Sequence, residues 1–322
     1  MSSMIHPRIS GLAYSVGAVR SIDELGAVDR IDDSTIQSLR SRGLQNFCVD
    51  RRSLPEMCVG VALDSLEKTS LNASAIGAIV FASSNPGWTA EDELNLLRVF
   101  DQVGFSRARI IGLSMQGCSG CASALRVASD LIKSTGRVET VLVILVGRTT
   151  EGASRLGPHQ ATVFSDGAAS CIMSVNFGAL EFIASETMTD ISLVRPTVTP
   201  LGVQRHLWAG LIGLKEVSEF VLNTAGIQPR EVTALFGMNG SAVYLDVIAE
   251  ATGIPPERVF RDDVAKYGHV YSCDNLISLT NYLDEREAVD GEYYLLCSWS
   301  PYVRGAVILR HDRAGTSIAS AT

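Results

Sequence analysis

Two hydrophobic periods divide this chain into elements. From Leu54 to Thr69, Met57, Val61, Leu63 and Leu66 recur at helical spacing, and Leu94, Leu97 and Phe100 do the same between Ala90 and Val103. Ile76 to Ala82, Thr140 to Gly147 and Cys171 to Val175 are short continuous apolar runs, which read as buried strands. Ile9 to Val19, apolar and glycine-rich, reads as a first strand. Further on, Leu214 to Thr224 predicts a helix, Val232 to Gly237 a strand, and Ser241 the cap of a helix through Thr252. Asn275 to Glu287 predicts another helix; Tyr293 to Ser298 and Gly305 to Arg310 are closing strands. Ser21 to Arg52 reads as short surface helices and loops, Ala265 to Cys273 as a loop, and Ala314 to Thr322 as a disordered tail. Helices alternating with wholly apolar strands predict layered α/β architecture with buried sheets. A helix followed by a strand and a small-residue turn occurs at Leu54 to Ser84 and again at Leu214 to Ser241, a faint duplication.

Composition narrows the class. With 322 residues, 46% of them hydrophobic and 19% charged, the chain can fill a wide core, as one large domain or two fused halves. A net charge of -8 without a Lys/Arg run argues against nucleic acid as a partner. The longest apolar run, Val141 to Val146, is too short to span a membrane, and the first residues carry no signal-peptide pattern. Seven cysteines without framework spacing suit a reducing cytosol. The expectation is a soluble cytoplasmic protein.

Chemistry concentrates between Ile110 and Gly136. Apolar residues that read as the end of a buried strand give way to the small-residue turn Gln116-Gly117-Cys118-Ser119-Gly120. Cys121, Leu125, Ala128 and Ile132 then follow at helical spacing, with Gly136 as terminator. Cys118 therefore stands where a strand hands over to a helix, whose free N–H groups favour a thiolate and can hold a substrate oxyanion. Other readings compete. Cys118 can be a buried structural cysteine, or it can pair with Cys121 as a C-x-x-C redox or zinc motif. No second C-x-x-C exists for a four-thiolate zinc site, so no metal is expected. A nucleophile elbow fits only in part, since Gln116 occupies its first glycine position.

The order of segments resembles the thiolase-fold condensing enzymes, specifically β-ketoacyl-acyl carrier protein synthase III and its acyltransferase relatives. Gly117-Cys118-Ser119-Gly120 is similar to the nucleophile turn, and Phe164-Ser165-Asp166-Gly167-Ala168-Ala169 to the F-G-D-G-A-G segment. Tyr267-Gly268-His269-Val270-Tyr271-Ser272 is similar to the H-G-N-x-x-S loop, and Leu295-Leu296 before Trp299-Ser300-Pro301-Tyr302 to the penultimate strand and oxyanion loop. The resemblance spans Ile9 to Arg310. It implies a layered α-β-α-β-α fold with duplicated halves, residues 1–175 carrying Cys118 and 176–322 carrying His269. It also implies a homodimer whose sheets pair edge to edge, with Trp88 near the partner's pocket. Acyl groups would arrive on coenzyme A or acyl carrier protein as co-substrate. The adenine-stacking Trp is missing between Thr35 and Leu44, while Arg40 and Arg42 remain as phosphate contacts or plain surface charges.

Departures from the family pattern shape the expected chemistry. The usual H-Q-A-N segment reads Met238-Asn239-Gly240-Ser241, and a His stands at 269 where Asn is usual. Met238 donates nothing to an enolate, so decarboxylative condensation loses one of its two donors, whereas one imidazole beside a thiol suffices for acyl transfer. Asp274 can orient His269 or cap the next helix. Asn239 can reach the pocket or fill a turn. Pro301 has no N–H, so a second oxyanion donor has to come from Ser300 or Tyr302. The expectation is an acyltransferase working through acyl-Cys118, with His269 as base and a small-molecule hydroxyl or amine as acceptor. The alternatives are a carbon–carbon condensing enzyme and a non-catalytic subunit completing a partner's pocket.

Overall fold

The computed structural model describes residues 6–29, 31–84, 88–157, 160–194 and 200–313. The tail expected from Ala314 to Thr322 lies outside them. The N-terminal half contains strands β1 (Arg8–Val16), β2 (Ala18–Ser21), β3 (Asn46–Val49), β4 (Ala78–Ser83), β5 (Arg109–Leu113), β6 (Thr140–Gly147) and β7 (Gly167–Ser174). Its helices are α1 (Leu25–Val28), α2 (Asp33–Ser41), α3 (Leu54–Thr69), α4 (Ala90–Val103) and α5 (Gly120–Thr135). The remainder contains β8 (Leu180–Thr189), α6 (Pro200–Ala225), β9 (Val232–Phe236), α7 (Ala242–Thr252), α8 (Asp262–Tyr267), α9 (Asp274–Asp284), β10 (Tyr293–Trp299) and β11 (Val303–His311).

Strand order is β5-β4-β6-β7-β1-β8-β11-β10-β9, with β2 and β3 paired apart. Among the described residues, the two runs of strands meet where Arg8 and Ile9 of β1 pair with Glu181 and Leu180 of β8. Side-chain alternation along each strand then builds the layers. On β6, Val141, Val143 and Leu145 face α5 and α9, while Leu142, Ile144 and Val146 face α3. On β10, Tyr294 and Leu296 join the same α5–α9 cluster, whereas Leu295, Cys297 and Trp299 pack towards α6 and α7. The result is an α-β-α-β-α sandwich with α5 and α9 at its centre. The duplicated halves are visible in α3–β4 and α6–β9, each an outer helix leading into a strand.

Capping explains why α3 and α4 have the bounds that hydrophobic spacing predicts. Ser53 with Glu56, and Thr89 with Asp92, form reciprocal capping boxes at their starts, and Gly104 ends α4 in left-handed backbone. Other segments differ from expectation. Ser21 to Arg52 contains β3, with Phe47 and Cys48 buried. β8 was not expected; its pattern is broken by Glu181, paired with Arg310, and Ser185, whose hydroxyl donates to the Ala122 carbonyl. α6 begins well before Leu214, at Pro200, because Gly210 is tolerated where no larger residue fits: an added Cβ would lie 2.3 Å from the Trp299 ring. The segment expected as a loop from Ala265 contains the end of α8. β5 is an edge strand with Arg109, Ile110 and Gly112 exposed, not the buried strand its apolar residues suggest.

Among the described residues no helix is long and apolar enough to cross a membrane. Leu145→Ala, at the centre of the sandwich, should destabilise the protein by about 2–5 kcal/mol. Leu63→Ala, on the exposed side of α3, should change stability by about 0.5 kcal/mol or less. Urea unfolding compares them; equal small shifts would contradict the central position of β6.

Candidate active site

Local backbone geometry sets the position of Cys118. After β5 the chain passes through left-handed backbone at Met115 (φ 62°) and Gly117 (φ 49°), then a 3-10 turn over Gly117–Ser119 feeds α5. Gly117 has to be glycine, because an added Cβ would sit 2.8 Å from the Ser300 Cβ. The Ser84 hydroxyl, just past the end of β4, donates to the Gly117 carbonyl at 3.0 Å. Cys118 thus lies at the carboxyl ends of the parallel strands, where open α/β sheets present their ligand sites. It alone of the seven cysteines is not buried. Cys121 faces the central cluster, and burial pushes its thiol up to about 12.

His269 reaches Cys118 from the other half of the fold. Its N–H donates to the Val163 carbonyl and its carbonyl accepts from the Ser165 N–H, both at 2.9 Å, so the backbone is fixed on both sides. Nε2 lies 3.1 Å from the Cys118 Sγ and Nδ1 lies 2.5 Å from Asp274 Oδ2. Asp274 also accepts the Asn239 N–H at 2.6 Å and the Val270 N–H at 2.7 Å. An ionised carboxylate only accepts, so it retains the proton on Nδ1 and leaves Nε2 facing the sulfur. His269 is wholly buried and Asp274 nearly so. Burial opposes a charge on the imidazole, but the Cys118 thiolate and the Asp274 carboxylate together raise it from 6.5 to about 10. Such an arrangement can hold a thiolate–imidazolium pair.

An aromatic and polar shell surrounds this chain of bonds, and sequence reading had not assigned it. Tyr271 stacks on Phe164 with ring centroids 4.8 Å apart and 7° between planes; its centroid is 5.8 Å from that of His269. Burial pushes its phenol up to about 12, opposed by a hydrogen bond with Thr149 and reinforced by the charges of Asp166 and Cys118. Tyr271 is left-handed (φ 53°), a conformation that disfavours a β-carbon by about 1–2 kcal/mol. Behind it, Arg155 donates to both oxygens of buried Asp166, at 3.0 and 2.8 Å, while the Asp50 and Thr149 N–H groups complete that carboxylate's contacts. Burial also raises the Tyr244 phenol; the Cys118 charge adds to this and Arg42 opposes it. A left-handed tyrosine leaves no signature in residue type, which is why Tyr271 escapes a reading by pattern.

The other expected residues divide. Asp274 orients His269; the helix it begins has no side-chain cap. Asn239 contributes its N–H to Asp274, and its amide turns to the Ser278 hydroxyl at 3.4 Å. Met238 is buried in the cluster under α6 and α7. The Ser300 N–H donates to the Val303 carbonyl at 2.8 Å, closing the β10–β11 hairpin, so it is not the oxyanion donor that the sequence suggested. Tyr302, half-buried, accepts from the Asp190 N–H through its carbonyl. Trp88 packs on Phe81 with centroids 5.0 Å apart, among the residues of the α3–α4 cluster. Arg40 is paired with Asp23 at 2.5 Å, whereas Arg42 donates to the Gln160 carbonyl at 3.1 Å beside Tyr244. Among the described residues no group of three His, Cys, Asp or Glu side chains could hold a metal ion.

The model of 3-oxoacyl-[acyl-carrier-protein] synthase III matches residues 114–190, and that of its C-terminal region matches residues 222–310. The chain belongs to the synthase III family. A β-ketoacyl-[acyl-carrier-protein] synthase III of Aquifex aeolicus is 24% identical over 262 residues, covering 79% of this chain and 83% of its own. A mycobacterial synthase III of Mycobacterium marinum is 21% identical over 305 residues, covering 89% and 90%. The fold is shared with the Aquifex aeolicus synthase III crystal structure, at a TM-score of 0.79 and 22% identity over 95% of this chain and 100% of that one. It is shared equally with ChlB3, an acyltransferase by its name, at a TM-score of 0.81 and 18% identity over 95% and 98%. Proteins named as synthases and one named as an acyltransferase thus share this architecture.

Exposure and burial separate the seven thiols of this synthase III relative. Iodoacetamide should label Cys118 in the folded protein and leave Cys121, Cys48 and Cys297 unmodified, burial holding each of these three thiols at about 12. Peptide mapping reads the outcome. Labelling of Cys121 at a comparable rate would contradict the burial of that side chain.

Proposed function

We propose that this synthase III-family protein is an acyltransferase that carries its acyl group on Cys118. The observation carrying that reading is the unbroken chain Cys118–His269–Asp274. In the loading half, the Cys118 thiolate attacks the carbonyl carbon of an acyl thioester. A C–S bond to Cys118 forms, the C–S bond to the carrier breaks, and the departing thiolate takes the Nε2 proton of His269. In the transfer half, an acceptor hydroxyl or amine gives its proton to Nε2 and attacks the acyl carbon, releasing Cys118 as thiolate. The Cys118 N–H, in the first turn before α5, is the proposed donor to the oxyanion in both halves. Acylation removes the thiolate charge that helps raise the imidazole, so His269 becomes easier to hold neutral when a base is required. Arg42 is proposed as a contact for the carrier, either coenzyme A or an acyl carrier protein, beside Tyr244.

A second reading, decarboxylative condensation, draws on the names of the relatives, which are synthases. It requires enolate donors, and Met238 supplies none. An inert partner subunit is less consistent with a complete hydrogen-bonded chain reaching the least buried cysteine.

Intact-mass and peptide measurements after incubation with acyl thioesters should place the acyl group on Cys118. His269→Ala should lower transfer to an alcohol or amine by about 100-fold or more while part of the self-acylation survives. Steady release of carbon dioxide from malonyl-thioester, with a β-keto product, would sink the transferase reading and favour condensation.

We also propose a homodimer through the β5 edge. Ile110 and Met115 are exposed along or beside that strand, Leu94 and Leu97 are exposed on the adjacent α4, and an unpaired edge strand seeks a partner. Light scattering at micromolar concentration should give twice the chain mass, and Ile110→Lys should shift it towards monomer. A monomeric wild type would count against this arrangement.

A further inference from the structure

Two tyrosines feel the charge of Cys118, and their surroundings are unlike. Tyr244 lies towards Arg42, which is only half-buried, so that side leads outward. Tyr271 lies towards Thr149, Arg155 and Asp166, all buried, so that side is closed. A thioester bound at Cys118 would need room for its larger carrier on the side that leads outward, which would leave the closed side for its acyl chain. The Tyr271 ring fills that closed side: it stacks on Phe164, and it occupies the space against Gly147, where an added Cβ would lie 2.5 Å from the tyrosine ring. Left-handed backbone is what brings the ring there, and strain of this kind at an aromatic side chain beside a nucleophile points to function.

We propose that Tyr271 is the specificity-determining wall of the acyl pocket and restricts Cys118 to short acyl groups, from acetyl to butyryl. The inference rests on the acyl-Cys118 reading. The phenol carries no step of the reaction; its ring excludes methylenes beyond the first few. Removal should open the closed side without touching Cys118, His269 or Asp274, and glycine should adopt the left-handed backbone at this position without strain. Asparagine, which also tolerates that conformation, gives a second opening variant.

Intact-mass kinetics with acetyl-, butyryl-, octanoyl- and decanoyl-coenzyme A tests this on the full chain, with circular dichroism confirming that each variant is folded. The wild type should load octanoyl and decanoyl at least about tenfold more slowly than acetyl. Tyr271→Gly and Tyr271→Asn should raise the octanoyl-to-acetyl ratio by about tenfold or more, and Tyr271→Phe should keep the wild-type ratio. Equal loading of long and short chains by the wild type would overturn the proposal, as would unchanged ratios in the folded opening variants. Absence of any loading by the wild type from the same four acyl groups, offered both on coenzyme A and on an acyl carrier protein, would instead overturn the acyl-Cys118 reading, and with it the role of Tyr271.

Discussion

The Asp274 carboxylate is the contact on which the site depends. It stands at the start of α9 and gathers three donors from two segments: the Asn239 N–H after β9, and the Val270 N–H and His269 Nδ1 from the loop before α9. Each N–H bond to a charged acceptor buried in low dielectric is stronger than its counterpart in water, and together they leave the carboxylate one orientation. The imidazole is thereby fixed in tautomer and direction. A parallel bridge between Phe164 and His269 fixes the same residue from the backbone side. Cys118 needs only to be delivered to Nε2, and the turn before α5 does this.

Delivery depends on small residues at close approaches. Gly117 rests against Ser300, and Gly305 lies against Ala122 and Ser119, where an added Cβ would be 2.8 Å and 3.3 Å from the nearest side-chain atoms. These contacts bring the β10–β11 hairpin of one half onto the nucleophile turn of the other. The same hairpin uses the Ser300 N–H internally, so its position is structural support for Gly117. The same sandwich is shared by proteins that carry synthase and acyltransferase names. Here Met238 is apolar and His269 has a carboxylate behind it.

Hydrophobic period alone was enough for α3, α4 and β6, whose ends coincide with caps or with wholly buried runs. It failed where function or pairing overrides period. β8 hides its pattern behind Glu181 and Ser185, each satisfied by a partner from a distant segment. α6 is interrupted on paper by glycines that in space admit Trp299 and Arg304. β5 reads as buried because its residues are apolar, although it is an edge. At the site, Cys118, His269 and Asp274 were legible from motif order, whereas the choice for Asp274 between a bond to His269 and a helix cap needed the geometry. Tyr271 was invisible as a wall, since left-handed backbone and ring stacking on Phe164 are properties of geometry only.

Titration of the His269 imidazole tests the relay most directly. Nuclear magnetic resonance of histidine-labelled protein, with His269→Gln to assign the signal among the five histidines, follows the ring as pH is varied. In the free enzyme the ring should titrate well above its ordinary value, raised by the Cys118 thiolate and the Asp274 carboxylate against burial. Acylation of Cys118 should move that titration downward, because one of the two negative charges is gone. An imidazole that titrates near the ordinary 6.5 in the free enzyme, and does not respond to acylation, would contradict a thiolate–imidazolium relay at this site.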